Sequence, residues 1–149
     1  MPFKINIGTK EGKTYKIETE SEELVGKSLG DKILGKEISP SFEGYEFEIK
    51  GTSDKSGFTS MKEVEGIGLK KMLLTYGKAM HKRPKREGKR KRSNPTPGGL
   101  RLRKTVRGKI ISPAIVQINL KLIKEGSKKL SEIFPEQIKS ETLEPEIGK

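Results

Sequence analysis

Residues 45–49 read YEFEI, in which Tyr45, Phe47 and Ile49 alternate with Glu46 and Glu48. A period of two puts three large apolar side chains on one face of a strand and two carboxylates on the other. Working outward, FKINI at residues 3–7 and TYKI at residues 14–17 alternate in the same way. Gly8 and Gly12 bracket a polar turn between them, so the two segments are expected to form a β-hairpin. Far downstream, AIVQINLKLI at residues 114–123 places Ile118, Leu120 and Leu122 on one strand face, with a helix through residues 113–117 as the competing reading. Val64, Ile67 and Leu69 alternate, and residues 72–76 read as a buried strand. The stretch GTSDKSG follows at residues 51–57, with Asp54 read as a turn former. Helical signals are limited to single turns at residues 21–25 and 128–134, and residues 29–38 break into short strands and turns between glycines. Many short strands without a long amphipathic helix predict a mainly β fold, a small β-barrel-like core with short helical turns and one long basic loop or arm. The expected organisation is one β-rich domain over residues 1–126, interrupted by the arm at residues 78–107, and a loosely ordered tail over residues 127–149.

The chain has 149 residues, of which 30% are hydrophobic and 35% charged, a thin supply of core that predicts a small packed body. It has no cysteine, so neither a disulfide framework nor a thiolate metal site is expected. The first residues alternate polar and apolar instead of forming a signal-peptide run, and no stretch approaches the length of a membrane span; a soluble, cytoplasmic protein is expected.

Three features mimic catalytic or ligand-binding chemistry. GTKEGKT at residues 8–14 resembles a phosphate-binding loop but has only three residues between its glycines and no helix predicted after it, so a hairpin turn is the better reading. His81 is the only histidine, and without a second one or a cysteine no imidazole metal cluster or histidine triad can be assembled; a polar or stacking contact is its expected role. Asp54 could carry a proton, but an Asp between Ser and Lys in a Gly-bounded loop is more simply a turn former that bonds its own backbone. No catalytic residue, metal ligand or cofactor is predicted, and no enzyme activity or small-molecule substrate.

The strongest functional signal is charge. Residues 78–107 hold thirteen Lys and Arg against one acid, Glu87, an excess of twelve that equals the whole chain's net charge of +12. The remainder is neutral. Such a concentration of like charge repels itself, and a polyanion relieves it by releasing condensed counterions. Six to eight phosphate contacts would give a slope of roughly −4 to −7 in log K against log salt. A membrane surface is disfavoured because no amphipathic apolar face accompanies the charge. Pro84, Pro95 and Pro97 stiffen the segment and Gly98 and Gly99 permit close approach to a phosphate; fully extended, thirty residues reach on the order of 100 Å. The candidate RNA-binding residues are Lys82, Arg83, Lys85, Arg86, Lys89, Arg90, Lys91, Arg92, Arg101, Arg103, Lys104 and Arg107, the last arginines being favoured for bidentate phosphate contacts. Neither a major-groove reading helix nor aromatic-rich RNA-recognition strands are visible, so recognition of folded RNA by shape and backbone fits best.

The run RKTVRG at residues 103–108, Ile111-Ser112, and QINLKLIKEG at residues 117–126 resemble the archaeal and eukaryotic family of small-subunit ribosomal protein six. Gly51, Ser53, Asp54, Gly57 and Phe58 match that family's GGSDxxGF signature, and Gly26-Lys27 with Gly30-Asp31 its IGKxxGD pattern. The order and spacing agree across residues 1 to about 126. The resemblance implies a small β-barrel-like core at the foot of the small subunit, touching ribosomal RNA and neighbouring ribosomal proteins, without catalysis. Thr52 stands where the family favours a second Gly, Thr59-Ser60 where it favours Pro-Met, and SNPTPGGL at residues 93–100 lengthens the arm. The tail, with Glu141, Glu144 and Glu146, lacks the long basic helix and serine cluster of eukaryotic members, so an archaeal-type member is implied. The rival reading from another class is a free nucleic-acid-binding factor, such as an RNA chaperone or a DNA-compacting protein.

Overall fold

The computed structural model describes residues 2–80 and 98–135. Seven strands follow one another as β1 (Phe3–Gly8), β2 (Thr14–Thr19), β3 (Lys32–Leu34), β4 (Glu46–Asp54), β5 (Leu69–Leu74), β6 (Leu102–Arg107) and β7 (Ile115–Lys124), with a single helical turn α1 (Leu130–Ile133) after them. Short 3₁₀ turns at Glu22–Leu24, Gly35–Glu37 and Pro40–Phe42 connect the early strands. The fold is mainly β, as expected.

The strands form two sheets. Five lie in the order β2-β1-β7-β4-β3, and β5 pairs only with β6. The β1–β2 hairpin forms as predicted, from Phe3 opposite Thr19 to Gly8 opposite Thr14. Residues 8–14 are its turn: the Thr9 amide donates to the Lys13 carbonyl at 2.9 Å, so the phosphate-loop look-alike is hairpin geometry. The strand reading of residues 114–123 holds over its helical rival, because β7 must run beside β1 in parallel (Lys4 opposite Gln117) and β4 in antiparallel.

Two expectations are corrected. The sheet is open, not a closed barrel: β2 and β3 are its edges, and no ladder joins them among the described residues. The hydroxyls of Thr19 and Ser21 instead donate to the carbonyls of Ile38 and Glu37, tying the end of β2 to the turn that follows β3. And β4, expected over residues 45–49, continues through Gly51–Asp54 with the turn of Asp54 after its end, because β7 supplies a pairing partner as far as Ile115 and register shifts absorb the irregular residues.

The main core lies on one face of the five-stranded sheet. Phe3, Ile5, Ile7, Ile33, Phe47, Ile49, Ile118, Leu120 and Leu122 are buried there at the alternating positions of their strands, each worth about 1.5–3 kcal/mol of burial. Phe42 meets Tyr45 and Phe47 edge-on at 5.9 Å in each case, and Tyr45 stacks on Phe47 at 5.7 Å. The start of the tail joins this core: Leu130 is buried, Phe134 stacks on Tyr15 at 5.3 Å, and the Tyr45 hydroxyl donates to the Lys128 carbonyl. Burial first, and then the nearby carboxylates of Glu125 and Glu132, hold the Tyr45 phenol above its ordinary pKa. The body therefore continues past residue 126, through Phe134; the rest of the tail, from residue 136, lies outside the described residues.

Candidate nucleic-acid interface

The basic segment is rooted in a two-stranded ribbon. β5 and β6 pair antiparallel from Leu69 opposite Arg107 to Leu74 opposite Leu102, so the two ends of the arm are held side by side. Residues 102–107, expected to belong to an extended arm, form a strand. One ribbon face carries Met72, Leu74, Leu102 and Val106 and packs with Val64 and Met80 into a second, smaller apolar cluster. The other face is open, with Leu69 51% and Leu73 55% exposed beside Lys71 and Arg103.

The candidate residues divide into three groups. Lys82, Arg83, Lys85, Arg86, Lys89, Arg90, Lys91 and Arg92, together with His81, lie outside the described residues. Arg101, Arg103 and Lys104 are exposed, and no carboxylate of the described residues lies within ion-pair distance of them. Arg103 and Lys104 project from opposite faces of β6, which spreads positive charge around the ribbon. Lys70 and Lys71, on β5, share this exposed and unpaired condition. They lie outside residues 78–107 and sequence reading passed over them; the pairing of residues 69–74 with 102–107 is the signal that would have found them.

Arg107 differs from the other three. Its Nε and Nη2 both donate to Asp54 Oδ2, at 3.1 and 2.9 Å, and its Nη1 donates to the Ile67 carbonyl at 3.2 Å. The two side chains are only 13% and 4% exposed. One cation of the basic segment is thus neutralised from within, by a carboxylate 53 positions away in sequence. Asp54 is a turn former as well: its Oδ1 accepts from the Phe58 amide at 2.8 Å, and its carbonyl accepts from the Gly57 amide. Gly57 has φ of +87°, which an L side chain rarely adopts. Burial works to raise the Asp54 carboxyl pKa, but the Phe58 amide, the Arg107 guanidinium and the Ser56 amide outweigh it and hold it below the usual range.

The SDxxGF and RKTVRG motifs therefore meet, one supplying the carboxylate and the other the guanidinium that joins the ribbon to the sheet. Gly108, which closes the second motif, is required by space, since a β-carbon there would lie 1.9 Å from the Gly66 carbonyl oxygen. The unusual residues of the first motif also meet: Thr52 Oγ1 donates to Ser60 Oγ at 2.6 Å in a buried contact. Among the described residues no group of His, Cys, Asp and Glu could hold a metal ion, and no helix is long and apolar enough to cross a membrane.

Comparison with known proteins points to one family. The model of the family described as ribosomal protein S6e matches residues 3–96 and 93–135. The small ribosomal subunit protein eS6 of Methanococcus maripaludis is 37% identical over 131 residues, covering 87% of this chain and 94% of its own. That of Methanocaldococcus jannaschii is 38% identical, covering 84% of each chain, and that of Nanoarchaeum equitans is 39% identical, covering 85% of this chain and 84% of its own. The motifs, their contacts and these matches over most of the length place the chain in the ribosomal protein S6e family.

Proposed function

We propose that this protein is a structural, non-catalytic constituent of the small ribosomal subunit in the cytoplasm, where it binds ribosomal RNA and abuts neighbouring ribosomal proteins. The compact body and its arm act as one RNA-binding domain. The observation that carries this reading is the segregation of charge: the net charge of +12 resides in residues 78–107, and of the described cations there Arg101, Arg103 and Lys104 have no carboxylate partner within the described residues. Eight further cations follow in the sequence at residues 82–92. The relatives' place in the small subunit supplies the anion that such a field needs.

In this arrangement the ribbon aims the arm and the arm supplies phosphate contacts, which position a protein on RNA without reading bases. Arg107 holds the root and is not a phosphate contact. Small subunits purified from the source cells should contain the protein in near-stoichiometric amount at moderate salt. Its absence from them, with the protein free in the supernatant, would overturn the proposal in favour of a free nucleic-acid-binding factor. Changing Arg101, Arg103 and Lys104 together to Gln should leave the fold intact and make the salt slope of RNA binding shallower by about 2 units.

A further inference from the structure

The face of the five-stranded sheet turned away from the core carries an arrangement of cations that the arm does not explain. Asn119 on β7 stands opposite Gly51 on β4, and its Oδ1 accepts from both Asn6 Nδ2 at 3.1 Å and Gln117 Nε2 at 2.9 Å. Its two Nδ2 hydrogens are thereby turned to the Gly51 side. The missing side chain at Gly51 leaves a hollow: a β-carbon there would lie 3.3 Å from Lys78 Nζ and 3.9 Å from Asn119 Nδ2. Lys78 reaches this point from the start of the arm and donates to the Lys50 carbonyl at 3.3 Å. Gly30, bonded through its amide to the Ile49 carbonyl, makes a second hollow that Lys62 Nζ fills, 2.8 Å from where a β-carbon would stand.

Lys62 acts on the carboxylate of Glu48, but Glu48 already binds Lys50 at 2.7 Å. Lys62 and Lys121 add to the field on Glu48, so three lysines act on one acid, and Lys62 acts on Lys78 as well. Burial of its ammonium end and then repulsion from Lys62 hold Lys78 below its ordinary pKa. Lys62 and Lys78 repel each other while Glu48 is engaged with Lys50, a cost that an added anion would reduce.

We propose that Lys78 and Asn119 Nδ2 at the Gly51 hollow, with Lys62 at the neighbouring Gly30 hollow, form a seat for one phosphodiester group of RNA on the open face of the sheet. The inference rests on the RNA-binding reading above and adds a second, fixed contact beside the arm. Lys78 lies at the arm's first turn, so an occupied seat would pin the strand that enters the arm against the body. Ammonium groups and an amide donor suit a phosphate oxygen, and the amide ladder Asn6–Asn119–Gln117 sets the amide's orientation beforehand.

The test uses the full chain with its arm intact and small-subunit ribosomal RNA as the probe. Lysine acetylation should label Lys78 in the free protein and fall at least tenfold in the complex, while Lys36 on the far turn stays equally reactive. Lys62→Met should make the salt slope shallower by about 1 unit while leaving the melting temperature of the free protein unchanged or raised, because a repelling charge is removed. Gly51→Ala, which keeps every charge but fills the hollow, should weaken RNA binding severalfold. Millimolar inorganic phosphate should not protect Lys78, since a free ion lacks the tethering that the arm's contacts provide. RNA binding with the full slope and no protection of Lys78 would overturn the seat and leave the arm's role standing. Protection by phosphate alone would overturn the assignment to RNA, and no binding of RNA by the wild-type chain would overturn both readings.

Discussion

The five-stranded body and the two-stranded ribbon are both made of alternating strand sequence, yet they are held by different forces. The body encloses a continuous core in which Phe42, Tyr45, Phe47 and Phe134 pack ring on ring and draw the start of the tail onto the sheet. The ribbon encloses little: Val64, Leu74, Met80 and Val106 are its buried residues, and its outer face leaves Leu69 and Leu73 half exposed. What fastens it to the body is chiefly polar, the Asp54–Arg107 pair and the backbone bonds of Arg107 to Thr59 and Met61. A hydrophobic core tolerates no charge, so a protein that must concentrate cations on one limb builds that limb from short strands and anchors it through one well-satisfied ion pair.

That contrast can be broken from either side. Phe42→Ala, in the middle of the aromatic cluster, should cost about 3–5 kcal/mol and lower the denaturant midpoint of the whole protein. Asp54→Ala strands a buried guanidinium and should cost about 3 kcal/mol. Its first effect should fall on the ribbon, with amide exchange accelerating in β5 and β6 before β1 and β7 respond. The same pair makes a pH prediction. The folded Asp54 carboxyl is held below its ordinary pKa, so its contribution is complete above the unfolded value, near 4, and is lost as pH falls through the depressed one. Asp54→Asn should flatten this acid limb in a plot of melting temperature against pH. A smaller effect belongs to the junction between the two regions: Thr52→Val should cost about 1–3 kcal/mol by leaving Ser60 without its buried partner, and adding Ser60→Ala should recover most of the loss.

How far the sequence disclosed this contrast follows from the reach of each signal. The β1–β2 hairpin, the YEFEI and AIVQINLKLI strands and the single turn α1 were legible because period and turn residues are local. β6 was not, since Arg103, Lys104 and Arg107 overwrite the alternation of Leu102 and Val106, and its partner strand lies across the whole arm. Gly51–Asp54 did not show as a continuation of the YEFEI strand, because only pairing with distant β7 makes it one. Barrel closure could not be judged from strand count, because it depends on whether two edges far apart in sequence meet. The same holds for the site: the charge excess was plain from composition, whereas Arg107's commitment to Asp54, the place of Lys70 and Lys71 beside β6, and those of Lys78 at Gly51 and Lys62 at Gly30 are facts of three-dimensional proximity. The family's motif residues marked Asp54 and Arg107 without saying that they bind each other.

The central claim is that the body folds on its own account while the cationic limb supplies affinity for the RNA backbone. The direct measurement compares the full chain with a variant in which residues 82–97 are replaced by a short Gly-Ser link, keeping Met80 and Leu100 for the ribbon's cluster. The dissociation constant for small-subunit ribosomal RNA is followed from low to high salt. Eight cations are removed with the segment, so the account predicts an unchanged melting temperature and a salt slope shallower by roughly 4–6 units. An unchanged slope with the fold intact would contradict it.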